Sequence, residues 1–334
     1  MTRADSAETT ALGTLSRIAS WYFSSVYGQR EGPGLLPAHC DPAKVGYFAV
    51  DPQRLIRAED SALFKLLIAQ AMFQALRDVV IQRQQLAMTA SEVQVVAELG
   101  FLQQAIARHP CPALRLSSDF TQRCDVYKLG KMVDCQLLPG APCHVKQATA
   151  IFKRMGDMGK LSSSALLLFW NEVPAGSAFD QYLRQDGTPA LRAEAIVVAL
   201  SKVHRMGEKL ATMFVSALST PTLFGDYSPW YPQVDGNELV VVDTNVAKAV
   251  KLLNSDGAHT YRADVAWIRA RARNIDMHSF RTDLPSYSPR LLQQALYRFC
   301  SKSNRIAAKD PCAIEAGDCR RCVPTLCPFS NHLL

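Results

Sequence analysis

The chain has no apolar run of the roughly eighteen residues that a membrane-spanning helix needs. Even Ala62 to Met72 carries Lys65 and Gln70. Met1 to Ser20 shows no secretory signal, because charge and polarity interrupt any apolar core there. Between Ala62 and Ser216 nothing alternates convincingly with the period of two that a half-buried strand requires. These absences point to a cytoplasmic chain whose thiols stay reduced, and to an all-α centre. Composition excludes a disordered protein: 334 residues, 48% hydrophobic and 20% charged, can bury one large core or two moderate ones. Acidic residues are the scarcer sign, 30 against 37 basic, for a net charge of +7. That balance permits a polyanionic partner without requiring one.

Cysteine, by contrast, is concentrated. Cys312, Cys319, Cys322 and Cys327 stand with gaps of six, two and four residues. Four thiolates released from one short segment can wrap a single metal centre without a helix or sheet to align them. Zinc and a [4Fe-4S] cluster both fit. Zinc ribbons and fingers usually pair two close knuckles, and only Cys319 to Cys322 has that form, so the uneven rhythm favours the cluster. Disulfides are the competing reading, and the reducing compartment weighs against them. Cys111, Cys124, Cys135 and Cys143, at gaps of twelve, ten and seven residues, match no compact ligand pattern. They are expected to be buried structural cysteines.

In chain order, Thr14 to Tyr27 reads as an amphipathic helix with Leu15, Ile18, Trp21, Tyr22 and Val26 on one side. Gly32 to Pro52 reads as a connecting loop. A buried helix follows, capped by Asp60 or Ser61 and running through Ala75. A further helix is expected over Ala90 to Arg108, ended by Pro110 and Pro112. Others are expected at Lys146 to Met155, Ser162 to Glu172 and Leu191 to Val203.

The most informative stretch is Ala199 to Leu253. A helix ending near Val203 is followed by His204, Arg205, Met206 and Gly207, and a new helix starts at Glu208. Gly207 is expected to supply the positive φ or close approach of the turn, with its amide at a helix N-terminus where a phosphate is stabilised. Downstream, the apolar run Glu238 to Val242 ends in Asp243, before a helix marked by Val246, Val250 and Leu253. Alone, Asp243 is most simply an N-cap, and Lys209 a solvated lysine.

Together, Met206-Gly207-Glu208-Lys209-Leu210-Ala211, then Val241-Val242-Asp243-Thr244-Asn245-Val246, then the four C-terminal cysteines, resemble the helix-hairpin-helix DNA glycosylase superfamily, in its iron-sulfur, endonuclease III-like branch. The resemblance covers roughly Ala62 to the C-terminus. It implies an all-α fold of two domains with an active cleft between them: a helical barrel over 60–235, and a [4Fe-4S] cluster domain formed by 1–59 with 236–334. It assigns Lys209 as nucleophile, Asp243 as catalytic carboxylate, and Cys312, Cys319, Cys322 and Cys327 as cluster ligands. Arg205, Met206 and Gly207 become the hairpin that grips the DNA backbone, and Gln74 the polar wedge at the end of an early helix.

The sequence departs from the family pattern at several places. His204 and Arg205 stand where Pro and a first Gly are usual, and the last cysteine gap is four rather than five. Between Lys209 and Asp243 lie 33 residues, in which Asp226 to Asp235, with Trp230 and Tyr231, reads as an insertion near the cleft. Glu315 and Asp318 occupy a cluster loop that is basic in the relatives.

The implied partner is double-stranded DNA bearing a damaged or modified base, bound by a monomer associated with the nucleoid. The implied reaction flips the base out of the stack, attacks C1′ with the lysine to form a Schiff base, and uses the carboxylate to accept a proton and stabilise the sugar cation. Two other readings stay open. One is an inert iron-sulfur DNA-binding relative. The other is an enzyme that acts on a flipped, hypermodified phage-type thymine without excising it, with the residues between Gln84 and Gly159 enlarging its pocket.

Overall fold

A computed structural model describes residues 3–27, 35–74, 78–114, 120, 122–128, 131–152, 158–170 and 178–300. The four C-terminal cysteines lie outside the described residues. The described part is mostly helical, and none of its helices is long and apolar enough to cross a membrane. The chain divides into two compact units, Pro33–Asp235 and Met1–Gly32 with Gly236–Leu334.

The Pro33–Asp235 unit is arranged around the helix Asp60–Ala71, which buries Leu63, Phe64, Leu66, Leu67, Ile68 and Ala69. A helix apolar on nearly every side belongs in a core rather than at its surface. Its one lysine, Lys65, reaches Glu98 at 2.6 Å. The helix stops at Ala71, short of the expected Ala75, with Met72 as its C-cap. Asp60 does not cap it: its carboxylate instead accepts from the Ala178 N–H at 3.2 Å.

The stretch expected to be a plain loop, Gly32 to Pro52, contains the short helices Leu35–His39 and Pro42–Val45, and another, Pro52–Ile56, starts at its end. The latter two start with an aspartate cap, Asp41 or Asp51, followed by proline at the first helical position. Proline is favoured there because its missing N–H would have no helical partner in any case. Val45, Phe48 and Leu55 are buried, and this apolar content groups 33–59 with Pro33–Asp235 rather than with the C-terminal portion.

The single helix expected over Ala90 to Arg108 is two, Ala90–Ala97 and Leu99–Arg108, broken at Glu98, whose extended backbone (φ −99°, ψ 108°) ends one and caps the other. The first begins with a capping box between Thr89 and Glu92. An unanticipated helix, Asp78–Ala87, precedes them. The centre is also not wholly α, because Tyr127–Lys128 pairs antiparallel with Lys131–Met132. Strands this short are invisible to any periodicity.

The helices His144–Phe152 and Gly159–Trp170 pack against each other. A Cβ at Gly159 would fall 2.2 Å from Thr149 Oγ1 and 2.5 Å from Val145 O, so this crossing admits only glycine.

Trp230, in the stretch read as an insertion near the cleft, is buried, at 1% exposed. Its ring lies 4.9 Å from that of Phe179 and 6.0 Å from that of Phe214. The Trp230 backbone N–H donates to Leu218 O at 3.0 Å, and Ser228 Oγ donates to Ala217 O at 3.1 Å. The Asp226 to Asp235 segment is therefore stitched onto the end of the helix Glu208–Ser219 rather than projecting from the unit.

In the other unit, the helix Arg3–Ser25 packs on Pro289–Cys300, with Trp21 edge-on to Phe299 at 5.3 Å. Leu15, Ile18 and Tyr22 are buried as the helical spacing requires. Pro289–Cys300 buries Leu291, Leu292, Ala295, Leu296 and Phe299 along one stripe.

His39 makes the Pro33–Asp235 unit acid-sensitive. It is 3% exposed, and burial lowers its pKa from 6.5 to about 4. The fold thus holds the ring neutral, whereas the unfolded chain protonates it near 6.5. Its contribution is complete above pH 6.5 and is lost as pH falls through about 4. At about 1.4 kcal/mol per pH unit, the loss is about 3 kcal/mol. Urea unfolding curves across this window should show the decline, and His39→Phe should flatten it. An unchanged slope in the variant would assign the decline to other groups.

Candidate functional site

The helix Pro189–Leu200 begins at Thr188, whose hydroxyl accepts from the Leu191 N–H at 3.3 Å. It buries Ala193, Ile196, Val197 and Leu200 and packs against Glu208–Ser219. Between them the chain reverses over residues 201–207. The His204 N–H donates to Ser164 Oγ at 3.0 Å, and the Met206 N–H to Val203 O at 2.9 Å.

The structure corrects the sequence reading of this turn in two places. The left-handed residue is Arg205, with φ +64°, and not Gly207, whose φ of −70° and ψ of 168° any residue adopts. Gly207 instead serves as the extended N-cap of Glu208–Ser219, without a side-chain cap. Met206 is 1% exposed, so its side chain anchors the turn in the core. Arg205 is exposed.

A Cβ at Gly207 would meet nothing within 4 Å. Gly207→Ala is therefore expected to cost only about 0.5 kcal/mol, through weaker N-capping. Thermal unfolding checks this, and a loss above about 2 kcal/mol, the size of a strained substitution, would contradict the geometry.

Lys209 is the second residue of the Glu208–Ser219 helix and is exposed. The same helix buries Leu210, Ala211, Phe214 and Val215, so the apolar stripe fixes the helix while Lys209 stays outside it.

Asp243 follows a buried strap, Leu239 to Val242. Three side chains hold that strap in place. Arg269 Nε donates to Glu238 O at 2.9 Å, Tyr261 Oη to Val240 O at 3.3 Å, and Gln293 Oε1 accepts from the Val241 N–H at 3.4 Å. Asp243 then caps Thr244–Leu253: Oδ1 accepts from the N–H groups of Asn245 at 3.0 Å and Val246 at 2.8 Å. Oδ2 accepts from Asn245 Nδ2 at 3.1 Å. The carboxylate is half-buried and held at both oxygens, an arrangement that pre-orients it and serves the fold at the same time. No protein-family model, curated protein or solved structure matches the chain.

Lys209 belongs to the Pro33–Asp235 unit and Asp243 to the other. Gln74 lies three residues beyond the helix Asp60–Ala71, half-buried, with its side-chain amide donating back to Ala71 O. It serves there as a C-terminal cap.

Three of the four central cysteines differ from expectation. Cys124 is buried, but Cys111, Cys135 and Cys143 are partly exposed. Burial raises the Cys124 thiol to about 11, and Cys143 and Cys111 add to the rise while Lys160 opposes it. Burial also raises Cys111, with smaller contributions from Cys143 and Cys135. Thiols so far apart in sequence thus act on one another in space. Sequence reasoning missed this because the gaps between them follow no local motif.

Proposed function

We propose that the protein is a DNA glycosylase of the helix-hairpin-helix type, which flips a damaged or modified base from the duplex and cleaves its N-glycosidic bond, with associated lyase activity at the abasic site. Lys209 is the nucleophile in this reading and Asp243 the carboxylate. The observation that carries it is an exposed lysine on the first turn of the helix that leaves a tight hairpin, followed in sequence by a carboxylate held at both oxygens.

The chemistry follows from those side chains. Inside a duplex the glycosidic bond is inaccessible, so the nucleotide is extruded, and the unstacking energy is offset by pocket and backbone contacts. The Lys209 amine in its neutral form attacks C1′; the C1′–N bond breaks and the base departs with a proton. The nitrogen then expels O4′: the C1′–O4′ bond breaks, O4′ takes the second amine proton, and the protein–DNA imine remains. Asp243, ionised, stabilises positive charge on the sugar as that bond lengthens and accepts the proton released by the amine. The amide N–H groups at the start of Glu208–Ser219, with Arg205 beside them, suit a phosphate of the backbone. Gln74 fills the gap left by the flipped base once its amide releases Ala71 O.

Cys312, Cys319, Cys322 and Cys327 would hold a [4Fe-4S] cluster, and the donor set of four thiolates suits one. In this reading the cluster is structural, tying the C-terminal segment to its unit, and takes no part in bond cleavage. The finer two-domain glycosylase architecture and the nucleoid location belong to the same proposal.

The test is borohydride trapping during incubation with duplexes carrying oxidised, deaminated, alkylated or bulky modified bases. A covalent protein–DNA adduct on at least one of them is expected. Duplex binding with neither cleavage nor adduct on any would remove the glycosylase reading in favour of a binding protein.

A further inference from the structure

Residues 109–143 carry little regular structure: among those described, a hairpin of two residues per strand and helical residues at 120, 122 and 123. A segment whose described residues form only this much regular structure needs something else to hold it. Its apolar content supplies a part. Ala113, Phe120, Cys124 and Val126 form a buried cluster with Val145 and Leu167.

Against that cluster pack Cys111, Cys135 and Cys143. The same three cysteines line one cavity of about 210 Å³, with Arg108 and His109 among its other walls. Three thiols thus line one cavity, and the fourth, Cys124, belongs to the buried cluster they pack against. Lys160 adds an independent observation. It is 5% exposed, and among the described residues its ammonium donates only to Cys124 O, at 2.8 Å. An ammonium buried against a neutral carbonyl is costly unless a negative charge stands nearby. Lys146, paired with Asp134, lies beside Cys143 and Cys135.

We propose that Cys111, Cys124, Cys135 and Cys143 are the four ligands of a structural zinc centre, with Lys160 as its buried countercharge. The site is separate from the C-terminal cysteines and independent of the glycosylase reading. Four thiols bind one Zn²⁺ with release of four protons, leaving a tetrathiolate of net charge −2, which Lys160 offsets in part, Lys146 being already paired with Asp134. Four protein sulfurs with no open position make a closed, structural site rather than a catalytic one. Among the described residues no three such side chains are already set around one point as ligands. Closure therefore draws the three partly exposed cysteines inward over Cys124, pinning the irregular segment to the cluster.

The test is metal analysis of the full-length protein purified anaerobically, combined with iodoacetamide footprinting before and after addition of a zinc chelator. One zinc per chain is expected. All four cysteines should be protected while zinc is bound, and Cys111, Cys135 and Cys143 should become reactive together once it is removed. Cys135→Ser and Cys143→Ser should each lose the zinc and leave any iron in place, whereas Cys300→Ser, a buried cysteine of the other unit, should keep it. Cobalt(II) substitution should give thiolate charge-transfer and tetrahedral d–d bands that Cys135→Ser abolishes. The footprint on unmodified protein decides the question even if a variant fails to fold. The proposal is overturned by the absence of stoichiometric zinc, by reactivity of these thiols that chelator does not change, by a disulfide among the four in a non-reducing peptide map, or by iron rather than zinc being lost from Cys135→Ser.

Discussion

Lys209→Gln is expected to abolish the borohydride-trapped adduct while leaving duplex affinity and stability close to those of the unmodified protein. The side chain is exposed and makes no core contact, and lysine and glutamine have similar helix propensities. What the substitution removes is the amine, and without it no imine can form to be reduced. Asp243→Asn is the companion variant, chosen because asparagine caps a helix about as well as aspartate. The amides of Asn245 and Val246 that Oδ1 now accepts at 3.0 and 2.8 Å would keep an acceptor. Loss of activity in this variant would therefore report loss of charge and not loss of fold. A fall of about 10²- to 10⁴-fold in single-turnover cleavage is expected for removal of one acid-base group. Asp243→Ala, by contrast, should also cost about 1 kcal/mol of stability through the missing cap. Wild-type turnover in both Lys209→Gln and Asp243→Asn would exclude this pair as the catalytic groups. Cleavage by the unmodified protein without any adduct would instead make water the nucleophile and Asp243 its activating base.

Trp230→Ala should destabilise the Pro33–Asp235 unit by about 3–5 kcal/mol, the range for emptying an aromatic site in a core. The indole is 1% exposed and lies between Phe179 and Phe214, with ring centroids 4.9 and 6.0 Å away. Deleting it leaves those rings facing a void that the helix Glu208–Ser219 cannot close without moving. That helix carries Lys209, so the cost should extend to activity at temperatures where the unit is still folded. Trp230→Phe is expected to cost far less. It keeps an aromatic ring in the site and loses no hydrogen bond of the indole among the described residues, where Nε1 has no partner. Urea unfolding followed by circular dichroism measures both variants. A cost below about 1 kcal/mol for Trp230→Ala, the level of a surface substitution, would mean that the 226–235 segment is peripheral after all.

Local signals carried much of this fold in advance. The apolar spacing of Leu15, Ile18 and Tyr22, the near-continuous apolar helix at Leu63 to Ala71, the start at Glu208 and the cap at Asp243 all depend on residues within one or two turns of each other. Capping and helical periodicity are short-range effects, and a single strand of sequence contains them whole. The order of Gly207, Lys209, Asp243 and the four C-terminal cysteines is likewise a property of the sequence alone, and the functional proposal rests chiefly on it.

What the chain could not announce is everything decided by partners distant in sequence. The break at Glu98 separates two helices whose combined pattern reads as one. The two-residue strands at Tyr127–Lys128 and Lys131–Met132 are too short to show a period. Met206 and Trp230 are buried although each stands in a turn, and Trp230 is covered by Phe179 and Phe214, which are distant from each other in sequence. Arg205, rather than Gly207 two residues on, takes the left-handed conformation, and Gly207 is the extended cap of the next helix. Cys111, Cys124, Cys135 and Cys143 meet only once the helices around them have folded, since spacings of twelve, ten and seven residues encode no common face of any helix or strand. Periodicity records which residues share a face of one element; only tertiary structure decides which faces, from separate elements, come to share a volume.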